Sequence, residues 1–209
     1  MTVNIPLILF AKAPVEGKVK TRLTPKLTPQ QAMRVAEVLL EETVKMTTAV
    51  WPGKVVLAVW PDKSHPFIAY LLETYNIECT LQVEGDLGTK MYHAIEDQGY
   101  PCVVMGCDVP HCDPKILNHA YEKLLDSEDV IGLTHDGGYY LLGLQASCPA
   151  LFKSVDWGSA TVSETTLAIA KQHKLSFQQL TILNDIDEYA DLLEVSSQFP
   201  VLTRLLTLT

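Results

Sequence analysis

Short apolar runs alternate with longer stretches of helical periodicity through the first two-thirds of this chain, and that alternation leaves few folds open. Runs at residues 5–11, 55–60, 77–83, 102–105 and 130–133 have the length and composition of strands, most of them buried on both faces. Between the first two, Thr28 is placed to cap a helix, with Pro29 in its first turn and Gln31 as the capping-box partner. This helix is predicted to run to about Val50, with Ala32, Val35, Ala36, Leu39, Leu40 and Val44 along one face, and Trp51-Pro52-Gly53 ends it. Further helices are predicted over residues 66–75, 89–98 and 114–125, the last capped by Asp113 ahead of Pro114. Strand and helix in alternation predict an α/β fold of three layers, α/β/α, around a mostly parallel sheet.

The pattern changes after Asp136. Residues 138–144 read as a strand separated from the previous one by only residues 134–137, too short for a parallel crossover. A hairpin or a strand leaving the main sheet is expected. A helix over 163–173, a last strand over 176–183 and helices over 187–195 and 201–206 follow. No repeat or linker interrupts the chain, so residues 1–209 are expected to form one domain.

Composition narrows the partners. A formal net charge of -9 argues against nucleic-acid polymers and anionic membranes. The apolar segment at residues 6–11 is too short to span a bilayer, and no basic stretch precedes it, so a cytoplasmic protein without a secretory signal is expected. The five cysteines form no Cys-x-x-Cys pair and suit reduced thiols. Cys107, His111 and Cys112 match no structural zinc spacing.

Four clusters carry chemistry. The first is Gly106-Cys107-Asp108-Val109-Pro110, where Asp108 lies just beyond a buried strand. In open α/β sheets ligands bind outside the carboxyl ends of strands. A carboxylate there can hold a divalent cation whose other ligands are substrate phosphate oxygens. The second is the loop of residues 12–25. Lys12, Lys18, Lys20 and Arg22 fall within 11 residues, where an even spread of 16 basic residues over 209 would place about one. With Gly17 allowing close backbone approach, this composition suits a phosphate. The loop matches neither the P-loop pattern nor the Gly-x-Gly dinucleotide fingerprint. The third is Asp136-Gly137-Gly138, either a plain hairpin turn or a carboxylate beside ligand-facing amides. The fourth comprises Ser159 and Thr161 before a helix, as caps or anion contacts, together with Asp185 and Asp187 at alternate positions. Asp187 also reads as a helix cap.

These segments in this order resemble a family of small bacterial proteins related to the nucleotide-diphospho-sugar transferases. The resemblance rests on Phe10-Ala11-Lys12-Ala13-Pro14, Gly17 with Lys20-Thr21-Arg22-Leu23, Gly85-Asp86-Leu87-Gly88 with Met91, and Gly106-Cys107-Asp108-Val109-Pro110. It continues in Asp136-Gly137-Gly138-Tyr139-Tyr140 with Gly143, in Trp157-Gly158-Ser159 and, more weakly, in Asp185-Ile186-Asp187. It covers roughly the first 165 residues. It implies the glycosyltransferase-A fold, with a nucleotide-binding half over about residues 1–110 and an acceptor-binding half over about 111–209. Some members look like glycosyltransferases of arsenosugar biosynthesis. More distant relatives, of molybdenum-cofactor and phospholactate type, look like nucleotidyltransferases. The chain departs from the pattern with Cys107 in place of Ser and with Gly158-Ser159 in place of Ser-Thr. It also has a single Asp108 where enzymes of this fold typically carry Asp-x-Asp.

What the residues and the resemblance imply together is transfer from a nucleotide-activated donor to a small-molecule acceptor. Glycosyl transfer from a nucleotide-sugar leads. Nucleotidyl transfer from a nucleoside triphosphate and a non-catalytic nucleotide-binding module are the alternatives. Asp108 is expected to hold Mg²⁺ or Mn²⁺ with Asp185 or Asp187. Lys12, Lys20 and Arg22 face the departing phosphate, and Asp136 acts on the acceptor hydroxyl or positions it. Gly17, Thr21, Gly88, Gly137, Gly138 and Ser159 complete the expected binding residues.

Overall fold

The computed structural model describes residues 3–207. Its seven strands, β1 (Leu7–Lys12), β2 (Val55–Trp60), β3 (Glu78–Leu81), β4 (Cys102–Gly106), β5 (Asp129–Leu133), β6 (Tyr139–Leu144) and β7 (Phe177–Gln179), form one sheet. The spatial order is β3-β2-β1-β4-β6-β5-β7. Every pairing is parallel except those of β6, which lies antiparallel between β4 and β5. The expected hairpin therefore forms, and its second strand stays in the main sheet, because β6 pairs with β4 from Cys102↔Leu144 to Met105↔Leu141.

Among the described residues seven α-helices accompany the sheet: α1 (Pro29–Val50), α2 (Pro66–Tyr75), α3 (Leu87–Gln98), α4 (Pro114–Leu125), α5 (Val162–Gln172), α6 (Tyr189–Ser196) and α7 (Pro200–Thr207). Strand alternation divides the core between two faces. Leu7 and Leu9 pack with Leu40 and Val44 of α1, Ile68 and Leu71 of α2, and Leu117 and Leu124 of α4. Ile8 and Val104 pack with Met91 and Ile95 of α3 and Ala170 of α5. The three-layer architecture follows. A third cluster joins Leu23, Leu27, Val35 and Leu39 to Ile186, Leu192, Val195 and Leu202, and so binds the last two helices to the outer face of α1. Among the described residues no helix is long and apolar enough to cross a membrane.

Local signals hold where the capping chemistry is strong. Thr28 accepts from the Gln31 amide while the Gln31 side chain accepts from the Thr28 amide, and Asp113 accepts from Lys115 N. Several boundaries move, three of them for reasons the contacts show. Helix α3 starts at Leu87, two residues before the predicted Thr89, because Asp86 accepts from Thr89 N at 2.7 Å and fixes the first turn. The last strand shrinks to Phe177–Gln179, with only an isolated bridge from Leu183 to Thr134 beyond it. The cap of α6 is Glu188, in a box with Asp191, rather than Asp187. The Asp187 carboxylate is instead engaged by two cations.

Candidate active site

The chain leaves β1 toward β2 and β3 on one side and returns to β4 on the other, so the sheet reverses direction between β1 and β4. A crevice forms at such a switch point, outside the carboxyl ends of the strands. Here it is a cleft of about 670 Å³. The predicted Lys12, Lys20, Thr21, Arg22, Asp108 and Asp187 all line it.

Lys20 is the centre of the arrangement. Its side chain is 7% exposed, and its ammonium lies 2.8 Å from Asp108 Oδ1 and 3.2 Å from Asp187 Oδ1. It also donates to the Ile186 carbonyl at 2.6 Å. Burial works against the charge, but the two carboxylates outweigh it and hold the Lys20 pKa above its ordinary value. The residue adopts a left-handed backbone, φ 46°, ahead of a 3₁₀ turn at Thr21–Leu23. That conformation costs a non-glycine residue on the order of 1–2 kcal/mol. Arg22 NH1 donates to the other Asp187 oxygen at 2.8 Å. Residues 167 positions apart are thereby joined.

The Asp108 loop is fixed from three sides. Thr43 of α1 donates its hydroxyl to the Cys107 carbonyl at 3.3 Å, Ile186 N donates to the Asp108 carbonyl at 2.9 Å, and Cys112 N donates to the Val109 carbonyl. Cys107 and Cys112 are buried thiols in this loop, and burial pushes the Cys112 pKa up to about 12, which disfavours the thiolate.

Asp185 adds a further carboxylate. Burial, and after it the charges of Asp136, Asp187 and Asp108, push its pKa up to about 6. Asp136, Asp187 and Asp108 are thus near enough for Asp185 to feel their charge. Among the described residues no group of three or more His, Cys, Asp or Glu side chains is arranged to hold a metal ion. One or two carboxylates, with phosphate and water as the remaining ligands, are the oxygen donor set that a magnesium-type ion accepts. The repulsion felt by Asp185 is what a bound dication would relieve.

Asp136 accepts from Thr134 Oγ1 at 2.5 Å and Gly138 N at 3.0 Å, which locks its carboxylate in the hairpin turn. Gly137 is required there. Its φ is +92°, and a Cβ would lie 1.9 Å from the Ala160 carbonyl oxygen. The turn therefore docks onto the segment of Ser159, whose hydroxyl is 3.0 Å from that of Thr161. The Asp136 and Ser159 clusters, far apart in sequence, are neighbours. None of the four predicted glycines lines the cleft, and Asp136, Ser159 and Asp185 stand outside its lining with Gly137 and Gly138. Gly17 is a positive-φ loop residue, and Gly88 packs where a Cβ would meet the Phe152 carbonyl and the Trp157 indole.

The cleft also contains side chains that the sequence did not single out: Trp60, Gln82 and Lys90. The Lys90 ammonium sits 3.9 Å from the centre of the Trp60 ring. Burial draws its pKa below the usual ammonium value, with Lys12 adding to the shift and Glu84 opposing it. The only available signal for Lys90 was its place two residues after Gly85-Asp86-Leu87-Gly88. A lone Gln after an edge strand gave none.

The profile of a bacterial protein family described as "Uncharacterized protein conserved in bacteria (DUF2064)" matches residues 43–159. No curated protein matches the chain. Among solved structures, a protein from Desulfovibrio desulfuricans G20, named as a candidate nucleotide-diphospho-sugar transferase, superposes with a TM-score of 0.81 at 28% identity. That match covers 91% of this chain and 85% of the other. A cytidylyltransferase from Leptospira borgpetersenii gives a TM-score of 0.52 at 13% identity, over 96% of each chain. Rv0371c from Mycobacterium tuberculosis, solved as a complex with manganese, gives 0.55 at 13% identity, over 93% of this chain and 98% of that one. The fold is that of the nucleotide-diphospho-sugar transferases.

Proposed function

Since the chain belongs to this DUF2064 family and carries the fold of transferase enzymes, we propose that it transfers a glycosyl group from a nucleotide-diphospho-sugar to a small-molecule acceptor. The observation that carries the reading is the cleft itself, where Lys12, Lys20 and Arg22 face Asp108 and Asp187 at the switch point of the sheet. Cations beside carboxylates suit a diphosphate bound together with a divalent ion. The first half of the chain, about residues 1–110, binds the donor, and residues 111–209 bind the acceptor. The enzyme works in the cytoplasm, where its five free thiols stay reduced.

Asp108 and Asp185 are the residues that would hold magnesium or manganese, with Asp187 joining them as Lys20 releases it. The manganese complex of the distant Rv0371c supports a divalent ion in this fold. When bound, the ion supplies a Lewis-acid partner for donor phosphate oxygens. The remaining work belongs to the chain. Lys12, Lys20 and Arg22 orient the diphosphate and stabilise the charge that builds on it as the bond to the sugar breaks. Thr21 contacts the same phosphates from the cleft wall. Asp136, with Gly137 and Gly138 beside it and Ser159 across the turn, holds the acceptor hydroxyl and takes its proton as oxygen attacks the anomeric carbon. Nucleoside diphosphate leaves.

One observation favours a second reading. Lys18 joins Lys12, Lys20 and Arg22 in lining the cleft, and four cations from one loop suit a triphosphate and the release of pyrophosphate. Nucleotide-sugars and nucleoside triphosphates, each with and without Mn²⁺, separate the two readings by thermal shift and product analysis. A ligand present at about 100 times its dissociation constant stabilises by roughly 2.7 kcal/mol. Manganese-dependent stabilisation by a nucleotide-sugar, with nucleoside diphosphate as product, is the expected result. Stabilisation by triphosphates alone with pyrophosphate release would replace glycosyl by nucleotidyl transfer. Nucleotide binding without turnover of any donor would reduce the protein to a binding module.

A further inference from the structure

The cleft follows the carboxyl ends of the strands in the order β3, β2, β1, β4. Gln82, just after β3, and Trp60, the last residue of β2, lie toward one end. Asp108, just after β4, lies at the other with Lys20. A nucleotide whose phosphates occupy the Lys20–Asp108 end directs its base toward Gln82 and Trp60. This inference rests on the donor reading above.

Gln82 is only 8% exposed and is held rigidly. Its backbone N–H extends the ladder to the Val59 carbonyl at 2.9 Å. Its side-chain amide donates to the Ala58 carbonyl at 2.8 Å and to the Ala11 carbonyl at 3.3 Å. Both acceptors are backbone oxygens, so the NH₂ group must face them and the amide cannot turn over. The carbonyl oxygen Oε1, with no donor among the described residues, is what Gln82 offers to the cleft it lines. Lys90, on the first turn of α3, lines the cleft beside it with its ammonium pinned on the Trp60 ring. A fixed acceptor and a fixed cationic donor therefore stand together at the base end.

We propose that Gln82 and Lys90 read the nucleobase through a lactam edge. The ring N–H donates to Gln82 Oε1, and the adjacent carbonyl oxygen accepts from Lys90 Nζ. Uracil and guanine present that edge. Cytosine and adenine present an exocyclic amine beside a bare ring nitrogen; the amine can serve Gln82, but the ring nitrogen is a poorer partner for an ammonium than a carbonyl oxygen. Lys90 thus separates oxo from amino bases, and Gln82 demands an N–H from any of them. The donor is a uridine or guanosine nucleotide.

The test is calorimetric titration of the full chain with UDP, GDP, CDP, ADP and inorganic pyrophosphate, all with Mn²⁺. UDP or GDP should bind at least about tenfold more tightly than CDP, ADP and pyrophosphate, a difference of about 1.4 kcal/mol. Methylating the lactam nitrogen of the preferred ligand should cost at least a further factor of about ten, and it leaves the protein unaltered. Lys90→Met should lower the oxo bases to the level of the amino bases without weakening pyrophosphate. Preference for CDP or ADP, tolerance of the methyl group, or an equal loss of pyrophosphate in Lys90→Met would each overturn the assignment. Diphosphates that bind no better than pyrophosphate would remove the base subsite and leave the phosphate site standing. Failure of all five ligands would remove the donor reading and this inference with it.

Discussion

Two carboxylates share one buried ammonium at Lys20, and that sharing has a measurable signature. Consider Asp108→Asn, Asp187→Asn and the double variant. The Lys20 side chain is 7% exposed, whereas Asp108 is 50% and Asp187 36% exposed. In either single variant the remaining carboxylate still neutralises the ammonium. What is lost is one half-solvated ion pair, worth about 1 kcal/mol once screening is counted. In the double variant only the Ile186 carbonyl remains, at 2.6 Å. A buried charge left without a counter-charge costs about 3–5 kcal/mol. The double variant should therefore exceed the sum of the singles by about 1–3 kcal/mol. Urea denaturation at pH 7.5 in chelator measures all four proteins, with midpoints compared at constant slope. Repeating the cycle in a Lys20→Met background should abolish the coupling, because no ammonium is then stranded. Additivity within about 0.5 kcal/mol in the Lys20 background, or coupling that survives Lys20→Met, would refute a shared ammonium. Asp108→Asn, although folded, should also abolish turnover.

Three further outcomes follow from single residues. Asp185 has its folded-state pKa raised to about 6 from 3.8, so its stabilising contribution is complete below the lower value and is lost as pH rises through the upper one. In chelator, Asp185→Asn should therefore stabilise the protein at pH 8, by about 1 kcal/mol after allowing for screening of a half-buried group, and not at pH 3.5; a gain only at the acid end would reverse the assignment. Gly137→Ala adds a Cβ at 1.9 Å from the Ala160 carbonyl oxygen on a φ of +92°, so it should lower the thermal midpoint and impair acceptor use before donor binding, as separate titrations would show. Ile186→Ala empties a fully buried position between α1 and the last two helices and should cost about 2–5 kcal/mol in denaturant, with weaker Mn²⁺ binding because both neighbouring aspartates lose their support.

Much of the fold was legible because its signals are local. The helix from Pro29 to Val50 has both halves of its capping box in four adjacent residues, and the strand of Cys102–Gly106 is an unbroken apolar run. The basic loop was legible for the same reason, with Lys12, Lys20 and Arg22 clustered in sequence and together in the cleft. What escaped was set by partners distant in the chain. Asp187 looked like a cap because nothing beside it in sequence shows that Lys20 and Arg22 claim its carboxylate. Gln82 gains meaning only from carbonyls of two other strands, those of Ala11 and Ala58. Lys90 gains it only from Trp60, thirty residues earlier and across the cleft. Single Asp–Gly turns are common, and what distinguishes Gly137 is Ala160 packed against it.

The same distant packing explains how so polar a site keeps its geometry. Exposed ion pairs are worth about 0–1 kcal/mol, too little to bring a loop near residue 20 and a segment near residue 187 into fixed register. An apolar seam does that. Leu23, three residues beyond Lys20, is fully buried in the same cluster as Ile186, which directly precedes Asp187. Each fully buried side chain of this kind contributes about 1.5–3 kcal/mol, so the seam outweighs the charges it positions. The ion pairs then only orient groups that are already adjacent. On the proposed reading, Lys20 and Asp187 exchange partners with phosphate and metal without loosening the fold, because the anchors beneath them, Leu23 and Ile186, stay in place. The last two helices, which line none of the cleft, are in this sense part of the candidate site.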